Sequence, residues 1–168
     1  MAITALAQAV PEMELRAVPP DLASWTEERT NALVSAETNA SVQNAVDAFF
    51  SKNISIYVNG ESFTRSDFVR DLQLSLIGRI SSDAIYYSII QVPTDPKDPV
   101  TAGWVGAFFN SRAYYSNRTQ THNISENILI QQDPSIPVPS PIDHDEIRVY
   151  FDRRRVMSIN RVVTQDVV

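Results

Sequence analysis

SVQNAVDAFFSKNISIYVNG, residues 41–60, carries two periodicities back to back. From Ser41 to Phe50, the residues Val42, Ala45, Val46, Phe49 and Phe50 follow i, i+3, i+4, i+7 spacing, one apolar face of a helix. Ser41 is placed to cap it. From Ser51 the period drops to two. Ile54, Ile56 and Val58 alternate with Ser55 and Tyr57, the pattern of a half-buried strand. Asn59-Gly60 closes that strand, because both residue types tolerate positive φ.

Upstream, Ala17-Val18-Pro19-Pro20 is extended and helix-free. Asp21 then caps a helix whose apolar positions are Leu22, Trp25, Leu33 and Val34. Residues 1–20 therefore read as a flexible leader, and residues 21–168 as a single domain. Downstream, Thr64-Arg65-Ser66-Asp67 is a capping-box variant, and the helix after it carries Phe68, Val69, Leu72, Leu74 and Leu76 up to Gly78.

Beyond Ile80 the chain reads almost wholly as strands: Ala84 to Val92, Val100 to Tyr115, Thr119 to Gln131, Glu146 to Phe151 and Val156 to Thr164. Two proline-rich loops interrupt them, Pro93 to Pro99 and Gln132 to Asp145. Asp152-Arg153-Arg154-Arg155 reads as a short basic turn. Two helices, a strand, a third helix and then a meander of long strands imply an α+β, two-layer fold. The helices pack on a strongly curved, mainly antiparallel sheet.

Composition narrows the chemistry. The chain has 168 residues, 43% of them hydrophobic and 20% charged, enough for one domain with a core. No cysteine is present, which excludes thiolate nucleophiles and cysteine-ligated metals. The two histidines, His122 and His144, are too few for a multi-histidine metal site. With 14 Lys and Arg against 20 Asp and Glu, the formal net charge is −6, which disfavours nucleic acid as a partner. The four glycines form neither a GxGxxG nor a P-loop pattern, and no GxSxG elbow occurs. No apolar run approaches the ~20 residues that span a bilayer. No basic segment precedes the apolar start, so a cytoplasmic location is expected. Sequons at Asn39, Asn53, Asn117 and Asn123 would matter only in a secreted chain. Any activity therefore rests on carboxylates, phenols and one imidazole, with no cofactor expected.

Element order and local pattern resemble the nuclear transport factor 2-like superfamily, which includes SnoaL-like polyketide cyclases, ketosteroid isomerase and scytalone dehydratase. The matching stretches are Val46 to Phe50 leading into Ile54 to Gly60, the helix from Thr64 through Val69, and Ile147 to Phe151 with Val156 to Arg161. The resemblance covers about Asp21 to Asp166. It implies a cone whose open end is a ligand pocket, and a homodimer formed through the sheet, where Trp104 and Tyr114 can bury. No reaction carries over. The isomerase-like members use an acid near the end of the first strand, where this chain has Tyr57-Val58-Asn59-Gly60 and no carboxylate before Glu61. Their protonated acid on a later strand has no aligned counterpart, since Asp145 and Glu146 sit at a strand start. The dehydratase-like members use two histidines with tyrosines, and here only His122 lies on a strand.

Among individual residues His122 stands out. It shares a face with Ile124, Ile128 and Ile130, so it is either a pocket base or a hydrogen-bonded core histidine. Glu126 falls on the same face, as an orienting partner for the imidazole or as half of a sheet ion pair. Asp71 is a candidate acid if it faces an apolar cone, and a solvated helix residue otherwise. The same holds for Asp47. Tyr57, Tyr86 and Tyr87 can donate phenolic hydrogen bonds to a ligand. Phe50, Trp104, Asn110 and Arg112 are further candidates for ligand contact. Together they suggest a small apolar metabolite, bound or converted by acid–base chemistry. The alternative is a non-catalytic ligand-binding, dimerisation or protein-interaction domain.

Overall fold

The computed structural model describes residues 19–138 and 151–167. Three helices, α1 (Leu22–Val34), α2 (Asn39–Phe49) and α3 (Arg65–Leu74), accompany six strands. These are β1 (Phe50–Val58), β2 (Glu61–Phe63), β3 (Arg79–Pro93), β4 (Gly103–Tyr115), β5 (Thr119–Gln132) and β6 (Arg154–Val167). They form one sheet in the order β2-β1-β6-β5-β4-β3. All pairings are antiparallel except β1 with β6, which is parallel. The architecture is α+β, as the element order implies.

Caps account for the helix starts. Asp21 Oδ1 accepts from the Ser24 amide at 2.7 Å, satisfying a backbone donor that has no partner within the helix. The second helix starts earlier than Ser41. Thr38 is its cap and Ser41 is the reciprocating N3 residue of a capping box. A serine three residues after Thr38 closes that box as a glutamate would. Thr64 caps α3 by accepting from the Asp67 amide at 3.1 Å. No loop separates α2 from β1. Phe49 ends the helix and Phe50 already has extended backbone.

Asn59 and Gly60 have φ of 53° and 85°, the left-handed pair of a tight hairpin joining β1 to the short β2. The Asn59 side chain also imitates a strand residue. Its Oδ1 accepts from the Val163 amide at 2.8 Å and its Nδ2 donates to the Val163 carbonyl at 3.1 Å. At Gly103, where β4 begins opposite Pro93, an added Cβ would lie 2.5 Å from the Val92 carbonyl oxygen, so this hairpin admits only glycine without a shift.

One apolar cluster fills the space between helices and sheet, with Leu22, Trp25, Val46, Phe49, Phe50, Ile56, Val105, Ile128 and Ile159 among its members. Phe49 stacks on Phe50 at 4.6 Å between centroids and meets Trp25 edge-on at 5.5 Å. A second, smaller cluster lies further along the same sheet face: Ala107, Phe109 and Ile124, with Tyr86 and Val163 against it.

The basic run is not a turn. Arg154 starts β6 and is 0% exposed. It donates to both Asp152 oxygens at 3.0 Å, to the Pro20 carbonyl at 2.8 Å and to the Val100 carbonyl at 3.0 Å. Its guanidinium lies 5.1 Å from the Trp25 ring, and Trp25 Nε1 donates to Asp152 at 2.8 Å. A charge can sit at the base of the core because almost every donor it has is matched. Residues 1–18 of the leader, half of the second proline loop (139–145) and residues 146–150 of the strand expected at Glu146 to Phe151 lie outside the described residues, as do His144, Asp145 and Glu146, while Phe151 is in no strand.

Candidate functional site

Strand alternation divides the nominated residues between two faces of the sheet. On β5, Ile124, Glu126, Ile128 and Ile130 are buried against the helices, and His122 continues that row half-buried. The expected face is therefore the inward one. Neighbouring strands complete it. Ala107 and Arg161 flank Glu126, while Phe109 and Val163 flank Ile124. Tyr86 on β3 stacks on Phe109 at 4.9 Å between ring centroids. Thr30, on the buried side of α1, faces Tyr86 from the opposite layer.

Glu126 and Arg161 are the polar centre of this face. Arg161 Nε and Nη2 both donate to Glu126 Oε2, at 3.0 and 2.7 Å. Glu126 is only 2% exposed. Arg161 also lies 5.6 Å from the centre of the Phe68 ring, which shields the pair from the α3 side. Among the described residues three buried oxygens here have no hydrogen-bond partner: Glu126 Oε1, Tyr86 Oη and Thr30 Oγ1. The Thr30 hydroxyl approaches Tyr86 without the geometry of a full hydrogen bond. Burial pushes the Tyr86 pKa up, so the phenol stays protonated.

His122 bonds to the Gln120 amide nitrogen, 3.0 Å from its Nε2. Because an amide nitrogen only donates, Nε2 accepts and the ring proton sits on Nδ1. Burial first, and then the Arg161 charge, lower the His122 pKa below its ordinary 6.5. The unfolded chain thus holds this proton more tightly than the folded one. The corresponding stability is present above pH 6.5 and declines as pH falls through that value. An NMR titration of the ring protons should give a midpoint below 6.5, and His122→Gln should flatten the stability slope just beneath it. A midpoint at or above 6.5 would contradict the burial seen here.

The other nominated residues lie elsewhere. Asp71 is exposed on α3, 4.0 Å from Arg70 Nε, and so belongs to the solvated helix face. Tyr57 is 46% exposed because β1 alternation turns Ile54 and Ile56 inward and Tyr57 outward. Trp104 is 50% exposed on the outer face of β4, where Asn110 donates to Tyr87 Oη at 2.9 Å. Arg112 also faces outward, paired with Asp83 at 2.7 Å. Phe50 is core, wedged between Phe49 and Phe68. Asp47 pairs with Arg65 at the surface. Of the named set, His122, Tyr86 and Glu126 meet on the inward face, where Glu126 Oε1 has no hydrogen-bond partner among the described residues. Arg161 was not a sequence candidate, since only strand register brings it beside Glu126.

A separate open groove of about 470 Å³ lies between α2 and α3, lined by Glu37, Arg70, Leu74 and Ile77 among others, and touches none of these residues. Among the described residues no helix is long and apolar enough to cross a membrane, and no group of three or more His, Asp or Glu side chains converges as metal ligands do.

Comparison with protein-family models finds no match, and comparison with curated proteins finds none either. Solved structures do match. A candidate aromatic ring hydroxylase from Novosphingobium aromaticivorans superposes with a TM-score of 0.57 at 8% identity, over 88% of this chain and 90% of that one. A conserved protein from Planctomyces limnophilus gives 0.56 at 9% identity, over 86% and 96%. A candidate calcium/calmodulin-dependent kinase II association domain from Exiguobacterium sibiricum gives 0.55 at 11% identity, over 86% and 91%. At such identities the likeness concerns the backbone alone. The backbone likeness to these structures agrees with the nuclear transport factor 2-like fold that the sequence resemblance implies, and singles out no particular member.

Proposed function

We propose that residues 21–168 form one cytoplasmic domain whose inward sheet face binds a small, largely apolar molecule, with His122 as the group able to move a proton. The observation that carries this reading is the inward row itself. It sets an uncharged imidazole and a buried carboxylate beside stacked aromatic side chains, with three oxygens lacking partners. Such a mixture of apolar walls and a few convergent polar groups is the usual composition of a small-molecule site. The hydroxylase description of one structural neighbour agrees with an aromatic ligand but supplies no role for any residue here. Titrating isotope-labelled protein with 4-propylphenol tests the site. Shifts should centre on Tyr86, Phe109, Ile124 and His122. Shifts confined to the α2–α3 groove would refute it.

A second reading has its own observation. Tyr87, Ile90 and Val92 of β3, Trp104 and Phe108 of β4 and Val162 of β6 are all exposed. Tyr87 packs on Phe108 at 5.5 Å, and Phe108, Ser125 and Val162 lie in one cross-strand row. An apolar outer face of this extent suits a sheet-to-sheet homodimer. Sedimentation should show a dimer that Trp104→Asp shifts towards monomer, whereas a wild-type chain monomeric at high concentration would exclude it.

A further inference from the structure

Resting on the pocket reading above, we propose that the inward face selects a neutral ligand by a hydroxyl group that donates its hydrogen to Glu126 Oε1. The argument is one of hydrogen-bond accounting. A carboxylate has only acceptors, and both Arg161 donors aimed at Glu126 are spent on Oε2. Oε1 is therefore a buried acceptor that asks for a donor from outside the described residues. Leaving it unmatched in a low-dielectric interior is unfavourable, so a group that supplies a donor gains the full difference.

Charge then narrows the class. Glu126 and Arg161 cancel, Tyr86 and Thr30 are neutral hydroxyls, and the half-buried His122 is held uncharged. A ligand carboxylate would meet Oε1 with like charge, and the one nearby guanidinium is already engaged. An ammonium would place a net charge in a balanced, buried site. A hydroxyl avoids both penalties. It donates to Oε1 and retains an oxygen that can accept from another hydroxyl. The Tyr86–Phe109 stack, on the same inward face, offers an aromatic wall for the rest of the molecule.

The test uses the intact chain and four probes of similar size: 4-propylphenol, 4-propylanisole, propylbenzene and 4-propylbenzoate. Calorimetry should rank the phenol first, about tenfold or more above the anisole, which accepts but cannot donate. Propylbenzene and the benzoate should be weaker again. In Glu126→Gln the amide oxygen keeps Arg161 and the amide nitrogen turns to the ligand, so the preference should reverse towards the anisole. If that variant does not fold, the four-probe series on the wild type still decides. Phenol and anisole within twofold of each other, both perturbing Tyr86 and Ile124, would overturn hydroxyl selection and leave the pocket standing. No binding by any probe would overturn both.

Discussion

Arg154→Ala should lower the unfolding free energy by about 3–5 kcal/mol, the usual effect of removing one partner from a buried charge pair. The substitution leaves Asp152 without its main counter-charge and the Pro20 and Val100 carbonyls without their shared donor. It also removes the cation over Trp25, whose own indole N–H bonds to the same carboxylate. Since domains of this size are stable by about 5–15 kcal/mol, the variant should sit close to half-unfolded at elevated temperature. Lysine should restore little, because one ammonium cannot reach both carboxylate oxygens and two carbonyls in the guanidinium's planar geometry. The acid limb gives a second signature. Burial alone would raise the Asp152 pKa, but the hydrogen bonds and charge of Arg154 outweigh it and hold it below 3.8. This contribution is present above pH 3.8 and lost as pH falls through the lowered value. In Arg154→Ala acid unfolding should begin at higher pH. Urea and pH melts with unchanged midpoints would mean that the network is ornamental.

Glu126→Ala should be comparably damaging, about 3–5 kcal/mol, because Arg161, with only 13% of its side chain exposed, is left beside Phe68 with no counter-charge. The informative comparison is the double variant Glu126→Leu with Arg161→Leu. It removes both charges and joins the two apolar clusters that the ion pair now separates, so it should recover most of the lost stability. It should also abolish preference among the hydroxylated and ether probes. A double variant as unstable as the sum of the singles would show that the two residues do not act as a pair.

Much of the fold was legible because the local signals agreed. The change of period at Phe49–Phe50, the Asn59-Gly60 hairpin and the caps at Asp21 and Thr64 each depend on residues a few positions apart. The site was half legible. Alternation along β5 places His122 and Glu126 on one face, and that placement survives. The same alternation argument puts Tyr57 opposite Ile56, so its pocket assignment conflicted with the strand pattern that defines β1. Trp104 and Asn110 needed the side of β4 on which the helices lie, which no local pattern states. Arg154 was invisible for a different reason. Three consecutive arginines look solvated by composition, and only partners 54 and 134 residues away make one of them a core residue. Arg161 depends likewise on its register with Glu126, 35 residues distant.

The central position of β6 has a consequence for biosynthesis. As the chain emerges from the ribosome, β1 with β2 and β3 through β5 can pair early, but β1 and β5 touch each other only through β6. Until residues 154–167 are made, two partial sheets coexist, each with a bare strand edge where β6 will pair. Closure demands a parallel pairing between segments about a hundred positions apart, the kind of contact that forms slowly. The nascent protein is therefore most exposed to aggregation in the interval before its last described strand inserts.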